Sequence, residues 1–266
     1  MQKASTINSN GGNAPLTGSL TNRPELLVLE RHAESVRQKV RGNHLFLPTD
    51  DEAAVYIKET PDHKIPITDP KGVEQARLTG IGVARDYGMF DVAYDSGYVR
   101  AEQTREIGFE AGYTPEERAL IKIRHNHMLR ERDVGYTYFM DDREVDQYFP
   151  WIRDQIAKMG YFYFCPPGGK SNADLCDQVY PFIGHHLFGV RAGQRVHCTS
   201  HGGTIGIMRY LLEKWTVDQW MDMVKNDSPK NCSVTVYQYS PTTRRLELEC
   251  YNKVYWKEEN DIIVPA

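Results

Sequence analysis

Apolar runs and helical repeats alternate along this chain from residue 26 onward. Leu26-Leu27-Val28-Leu29-Glu30 is a short apolar run bounded by Pro24 and polar residues, which reads as a buried strand. After Thr68-Asp69-Pro70, the residues Val73, Ala76, Gly80, Val83 and Tyr87 recur at helical spacing, and Gly88 is a natural stop. Residues 90–95 read as a second strand that runs into a strand-to-helix junction at 96–104. Residues 121–124 alternate as a strand does. Leu175, Val179, Phe182, Ile183 and Leu187 mark the buried face of a helix that Ser171 or Asn172 can cap. Pro181 interrupts that face and predicts a kink or a restart. Residues 195–199 form another strand, 205–212 a helix, and 234–239 with 246–251 a closing pair of strands. Strands alternating with helices predict a three-layer α/β sandwich whose central sheet is largely parallel and flanked by helices on both faces.

Three stretches fall outside this rhythm. Residues 1–22 are rich in Ser, Asn, Gly and Thr and nearly free of aromatic residues, which predicts a disordered tail ahead of one domain over 23–266. Residues 36–66 are a long connection of mixed charge, with a short helix expected at 51–58; they read either as a pocket wall or as a solvated insertion. Residues 136–168 carry ten aromatic residues interleaved with charge, and read as core or as a lid over a site.

Composition removes several alternatives. A chain of 266 residues has ample length for a core, and 26% charged residues suits an ordinary soluble protein. A net charge of −4 argues against a general nucleic-acid binder. No apolar run approaches the length of a membrane span, and no signal-peptide core precedes the first strand. Cys165, Cys176, Cys198, Cys232 and Cys250 are odd in number, widely spaced and without a CxxC pair, which fits a reducing cytoplasm rather than a disulfide frame or a zinc knuckle.

The chemistry gathers at strand ends. Arg31 and His32 follow the first strand at its C-terminal end, where open α/β sheets place ligands. An Arg offers a planar, permanently charged fork for phosphate oxygens, and a neutral imidazole nitrogen can act as a nucleophile. Arg100 arrives at the next strand-to-helix junction, where helix N-termini favour anions. His201 follows the 195–199 strand, and Glu131 sits in a polar turn after residues 121–124. His125 and His127, two apart, would face one side of a strand, but no third ligand has suitable spacing, so no metal is expected.

In this order the segments resemble the motifs of the histidine phosphatase superfamily, the phosphoglycerate mutase-like fold. Arg31-His32-Ala33-Glu34-Ser35 resembles its opening Arg-His-Gly-Glu motif, and Ser96 to Thr104 its Ser-Pro-x-x-Arg-Ala-x-Gln-Thr motif. Thr68 with Gln75-Ala76, the turn at 129–135, Pro167-Gly168-Gly169-Lys170-Ser171 and Ser200-His201-Gly202-Gly203 also match in order, so the resemblance spans residues 25–240. Ala33, Gly97 and Gln38 depart from the usual Gly, Pro and Asn, and the 36–66 connection is longer than is usual.

The resemblance implies a metal-independent, cofactor-free mechanism. His32 attacks phosphorus and is transiently phosphorylated, while Arg31, Arg100, an imidazolium at His201 and the Gln38 amide hold the phosphoryl group. Glu131 protonates the leaving oxygen and then helps deprotonate water, with Glu34 or Asp133 next in line for that role. Hydrolysis of a small phosphomonoester is the leading expectation. A phosphoglycerate-type mutase and a non-catalytic phospho-ligand binder are the alternatives. The aromatic segment and the mixed charge of 36–66 favour a substrate with a sizeable organic group. No nucleic-acid or membrane partner is expected, and a homodimer is left open.

Overall fold

The computed structural model describes residues 22–42, 44–48 and 52–266, so the tail expected over 1–22 lies outside the described residues apart from Asn22. Strand β1 (Leu26–Arg31) is followed by helices α1 (Val36–Arg41) and α2 (Glu52–Glu59), then by α3 (Lys71–Tyr87). Next come β2 (Val92–Asp95), α4 (Val99–Gly112), α5 (Pro115–Leu120) and β3 (Lys122–His125). The aromatic stretch holds α6 (Asp142–Tyr148) and α7 (Ile152–Met159). Helix α8 (Asn172–Pro181) stops at its proline and passes into a π-helical turn, Phe182–Leu187. The chain then runs through β4 (Arg195–Ser200), α9 (Gly202–Glu213) and α10 (Val217–Asn226). It finishes with β5 (Val234–Ser240), β6 (Arg245–Lys253) and a hairpin of β7 (Trp256–Glu259) and β8 (Ile262–Pro265).

The main sheet has the order β3-β2-β4-β1-β5-β6. Strands β1 to β4 pair in parallel, and β5 runs antiparallel to β1. The pairing Arg31↔Ser200 and Asp95↔Thr199 brings the C-terminal ends of β1, β2 and β4 level with one another. Every residue that follows those three ends is therefore delivered to one edge of the sheet.

Both faces of the sheet are covered, because side chains on a strand alternate sides. Along β1, Leu27 and Leu29 join a cluster with α8, α9 and α10, anchored by Leu175, Ile205 and Trp220. Leu26 and Val28 join the opposite cluster with Val83 of α3 and Phe109 of α4. Helices α3 and α4 touch along glycines: a Cβ on Gly80 would stand 1.9 Å from the Gly108 carbonyl oxygen, and one on Gly112 would stand 2.5 Å from the Gly80 oxygen. That backbone contact fixes α4, and with it Arg100.

The two irregular stretches meet each other. The Leu47 amide donates to the Met140 carbonyl at 3.0 Å, and Lys58 Nζ lies 2.6 Å from Glu144 Oε2. Leu47, Ala54, Ile57, Ile65 and Tyr138 form a small separate apolar cluster between the two stretches. The ten aromatic residues divide: Phe162 and Phe164 are buried, whereas Tyr136, Tyr148, Trp151 and Tyr163 are exposed.

Candidate active site

A cavity of 710 Å³ opens at the C-terminal edge of β1 and β4. His32 is 4% exposed at its floor. Its Nδ1 lies 2.7 Å from the Ala33 carbonyl oxygen. A carbonyl only accepts, so Nδ1 carries the proton and Nε2 keeps its lone pair. Burial, then Arg100 and Arg31, hold the imidazole pKa well below its ordinary value of 6.5. His32 is thus neutral at pH 7, with a nucleophilic nitrogen near two cations.

His201 is fully buried, with its ring centroid 5.0 Å from that of His32. Its Nε2 and Ser96 Oγ are 2.9 Å apart, while its Nδ1 is buried without a protein partner. Burial, Arg100, His32 and Arg31 all lower its pKa, so the unliganded protein holds neutral imidazole. In so cationic a site, the imidazolium expected around a phosphoryl group needs the charge of the incoming anion to form.

Each of the two arginines is anchored by hydrogen bonds to the protein. Arg100 is 5% exposed, and its Nη1 donates to the Asp62 carbonyl at 2.7 Å and to Asp62 Oδ1 at 2.8 Å. Arg31 donates through Nη1 to the Pro229 carbonyl, and its Nε is buried with no partner. Burial depresses the Arg31 guanidinium, Glu131 opposes that effect, and Arg41 and Arg100 add to it. Asp62 and Pro229 carry no sequence motif. Only the three-dimensional contact reveals them.

Glu131 overhangs the start of α9. The Gly203 amide donates to its Oε2 at 3.1 Å, and the Arg132 amide to its Oε1 at 2.9 Å. A carboxylate at a helix N-terminus is favourably placed. Three side chains pin the loop that carries it: Ser200 Oγ donates to the Leu129 carbonyl and Thr204 Oγ1 to the Arg130 carbonyl, each at 2.7 Å, and Gln178 Nε2 donates to the Met128 and Arg130 carbonyls at 3.1 Å. Gly203 is required by space, since a Cβ there would stand 2.4 Å from Glu131 Oε1. Of the two reserve acids, Glu34 lines the cavity but lies 3.4 Å from Lys71 Nζ. Asp133 is exposed and accepts from the Gly135 amide at 2.8 Å, away from the cavity wall.

Gln38 serves first as a helix cap. Its Oε1 accepts from the Ser35 amide at 3.0 Å and from Asn231 Nδ2 at 2.9 Å. With the carbonyl end occupied, Nε2 is left to donate into the cavity that Gln38 lines. Asn231 also donates to the His32 carbonyl at 2.9 Å, and its part was not visible in the sequence.

The rest of the cavity follows expectation only in part. The 36–66 connection does supply mixed charge: Arg37 and Arg41 of α1 line the cavity together with Asp62, whose carboxylate is paired with Arg100. Of the ten aromatic residues at 136–164, only Tyr138 and Tyr161 line it. Trp220, Met223 and Val224 of α10 supply an apolar side.

His125 does not face the same way as His127. It ends β3, while His127 opens a 3-10 turn. His125 Nδ1 lies 2.7 Å from Asp95 Oδ1 and 3.5 Å from Glu102 Oε1, and these three donors are mutually within 4.8 Å. The hydrogen bond to Asp95 raises the His125 pKa, and Asp95 Oδ2 also receives Arg105 Nε at 2.9 Å. In this network His125 Nδ1 and Arg105 Nε already occupy both oxygens of Asp95. The five cysteines are free, and burial raises the pKa of Cys198. Among the described residues no helix is long and apolar enough to cross a membrane.

Residues 59–252 match the histidine phosphatase superfamily, branch 1. A 2,3-bisphosphoglycerate-dependent phosphoglycerate mutase of Methylobacterium radiotolerans is 32% identical over 154 residues, covering 58% of this chain and 70% of the relative. The phosphoglycerate mutase-like protein AT74H of Arabidopsis thaliana is 28% identical over 217 residues, covering 74% and 69%. In fold the chain is similar to the alpha-ribazole phosphatase of Shigella flexneri, with a TM-score of 0.61 at 17% identity over 86% of this chain and 96% of that one. It is likewise similar to a mycobacterial glucosyl-3-phosphoglycerate phosphatase solved with inorganic phosphate, with a TM-score of 0.58 at 18% identity over 86% and 98%.

Proposed function

The chain belongs to the histidine phosphatase superfamily, and within it we propose that the protein hydrolyses a small phosphomonoester through phosphohistidine at His32. The observation that carries this reading is the hydrogen bond of His32. Its Nδ1 proton is spent on the Ala33 carbonyl, and burial with the nearby charges of Arg100 and Arg31 keeps Nε2 without a proton of its own.

In the first step Nε2 forms a bond to phosphorus as the ester P–O bond breaks. Protonated Glu131 gives its proton to the leaving oxygen. In the second step Glu131 takes a proton from water, the water oxygen bonds to phosphorus, and the N–P bond breaks. Arg31, Arg100 and the buried Nδ1 of His201 surround the phosphoryl oxygens throughout, and Gln38 Nε2 adds a neutral donor. Phosphoryl transfer is mainly positioning plus charge stabilisation, so fixed cations serve it well. The anchors of Arg31 and Arg100, on Pro229 and Asp62, hold those charges in place before substrate arrives.

A second reading, a phosphoglycerate-type mutase, is favoured by the relatives that carry that description and by the positive wall of α1. The two differ in what receives the phosphoryl group: water, or a hydroxyl of the retained product. A product assay on 3-phosphoglycerate beside sugar, nucleotide and aryl phosphates separates them. Release of inorganic phosphate in step with ester loss is expected. Rapid interconversion of phosphoglycerates with little free phosphate would replace the phosphatase by the mutase.

A further inference from the structure

Five arginines and three carboxylates line the cavity, yet one phosphoryl group engages only Arg31 and Arg100. Of the three carboxylates, Asp62 is committed to Arg100, Glu34 lies beside Lys71, and Glu131 receives two backbone amides. Of the other three arginines, Arg132 donates to the Lys170 carbonyl at 3.2 Å and to the Tyr161 hydroxyl at 3.1 Å, which leaves Arg37 and Arg41. They stand four residues apart on α1, so they project from the same side of the helix. Their Nε atoms are both buried and without a hydrogen-bond partner. Neither arginine makes an ion pair among the described residues. Arg37 stacks on Tyr138, with its guanidinium carbon 4.2 Å from the ring centroid, and reaches only the Tyr138 carbonyl, at 3.4 Å. The Arg41 side chain has no hydrogen bond among the described residues.

Gathering like charges in a partly desolvated cavity is costly unless an anion enters. Burial lowers the Arg37 pKa, Tyr138 opposes this, and Arg41 adds to the lowering. Arg41 likewise depresses Arg31, which places it near the phosphate end. The stacking on Tyr138 fixes one of the two guanidinium planes in advance, which reduces the entropy lost on binding.

We propose that Arg37 and Arg41 form a second anion subsite, so that the substrate is a phosphomonoester bearing a further carboxylate or phosphate group. This rests on the reading of the first subsite as a phosphoryl site. It replaces bulk with charge as the feature that selects the substrate: a phosphorylated acid or a bisphosphate fits this cavity better than a phosphorylated alcohol of equal size.

Binding tests this without turnover. Alkylphosphonates of two to five carbons are titrated calorimetrically into the protein, beside the ω-carboxy and ω-phosphono compounds of the same lengths. At the best-fitting length the doubly anionic ligand binds about tenfold or more tighter than its uncharged match, the scale of one charge-assisted hydrogen bond. The ω-carboxy and ω-phosphono arms tell which second group is preferred. Arg41→Gln collapses the ratio, and Arg41→Lys keeps part of it. Lys39→Gln, at an exposed position of the same helix outside the cavity, leaves the ratio intact, which separates the subsite from general surface charge. Should Arg41→Gln lose its cooperative melt, Arg37→Gln supplies the same readout. Equal affinities across every matched set in the unaltered protein overturn the proposal, as does a ratio that survives both substitutions. Hydrolysis of phenyl phosphate is followed in parallel. If that ester is not turned over while the ratio stands, the phosphatase reading fails and the subsite remains.

Discussion

The inner and outer halves of the cavity are built on different principles. The inner half, His32, His201 and Arg100, is almost fully buried: His32 and His201 follow directly from the ends of β1 and β4, and Arg100 sits in the first turn of α4 just after β2. The outer half, Arg37, Arg41 and Tyr138, stands on short elements of the two long connections, over an apolar cluster of its own. Register within the sheet positions the first set, so its geometry is as rigid as the core. Local capping and a few cross-connection contacts position the second. On the proposed reading, chemistry resides in the more deeply buried half, and choice of substrate in the half built on the two long connections.

The contrast is broken most severely at Glu131, the acid that links the halves. Glu131→Gln is expected to slow alkyl phosphates by about 10²–10⁴-fold, the usual worth of general acid–base help, with a much smaller loss on aryl phosphates, whose leaving oxygen needs little protonation. Rates on the two ester classes check this. An equal loss on both would move the acid role to Glu34, the only reserve acid that lines the cavity.

A milder test compares histidines by proton titration in an NMR experiment. His32 and His201 are held well below 6.5 by burial and by Arg100, whereas the hydrogen bond to Asp95 raises exposed His125. His125 should therefore titrate above 6.5, and the other two well below it. The sign carries over to stability. Two histidines that are neutral in the native state favour it above pH 6.5, and that contribution declines as pH falls from 6.5 toward their folded values. For His125 the contribution is complete below 6.5 and is lost as pH rises through its raised value. Correspondingly, kcat/KM corrected for the substrate's own ionisation near pH 6 should show no inflection at 6.5. A His32 midpoint at 6.5 would mean that the inner half is wetter than its packing indicates.

The smallest effect is expected in the outer half. Lys58 joins the two connections through half-buried Glu144 at 2.6 Å and, more loosely, through buried Asp141 at 3.6 Å. Lys58→Met should cost no more than about 1 kcal/mol in a denaturant melt. A loss of several kcal/mol would show the outer half to be part of the main cooperative unit.

The same division explains what could be read from the sequence. Strands β1, β2, β4 and β5 with α3, α8 and α9 announced themselves because each buries apolar residues, whereas exposed β3 shows only alternation and α4, which buries Arg100, Thr104 and Arg105, is read from its junction. Even the stop at Pro181 followed from its missing amide. Helix α6 stayed hidden because Val145 is its one buried residue. Helix α7 could have been found, because Ile152, Ile156 and Met159 recur at helical spacing. Helix α10 could have been found: Trp220 and Met223 share its buried face, and Thr216 with Gln219 makes a capping box. So could the outer arginines. Ser35 and Gln38 cap α1 reciprocally, and a helix beginning there sets Arg37 and Arg41 on one side. Reading Gln38 only as a phosphate donor concealed that helix. Asp62 and Asn231 left no local signal, since their partners Arg100 and His32 lie far away in the chain.

The central claim is that His32 carries the phosphoryl group between substrate and water. Rapid mixing with a phosphorus-labelled aryl ester, quenched into alkaline denaturant that preserves phosphohistidine, tests it directly. The account predicts label on the peptide containing His32, formed and lost at rates competent for turnover, and neither label nor turnover in His32→Ala at an unchanged melting temperature. Full turnover in His32→Ala, or label on another residue at the turnover rate, would contradict it.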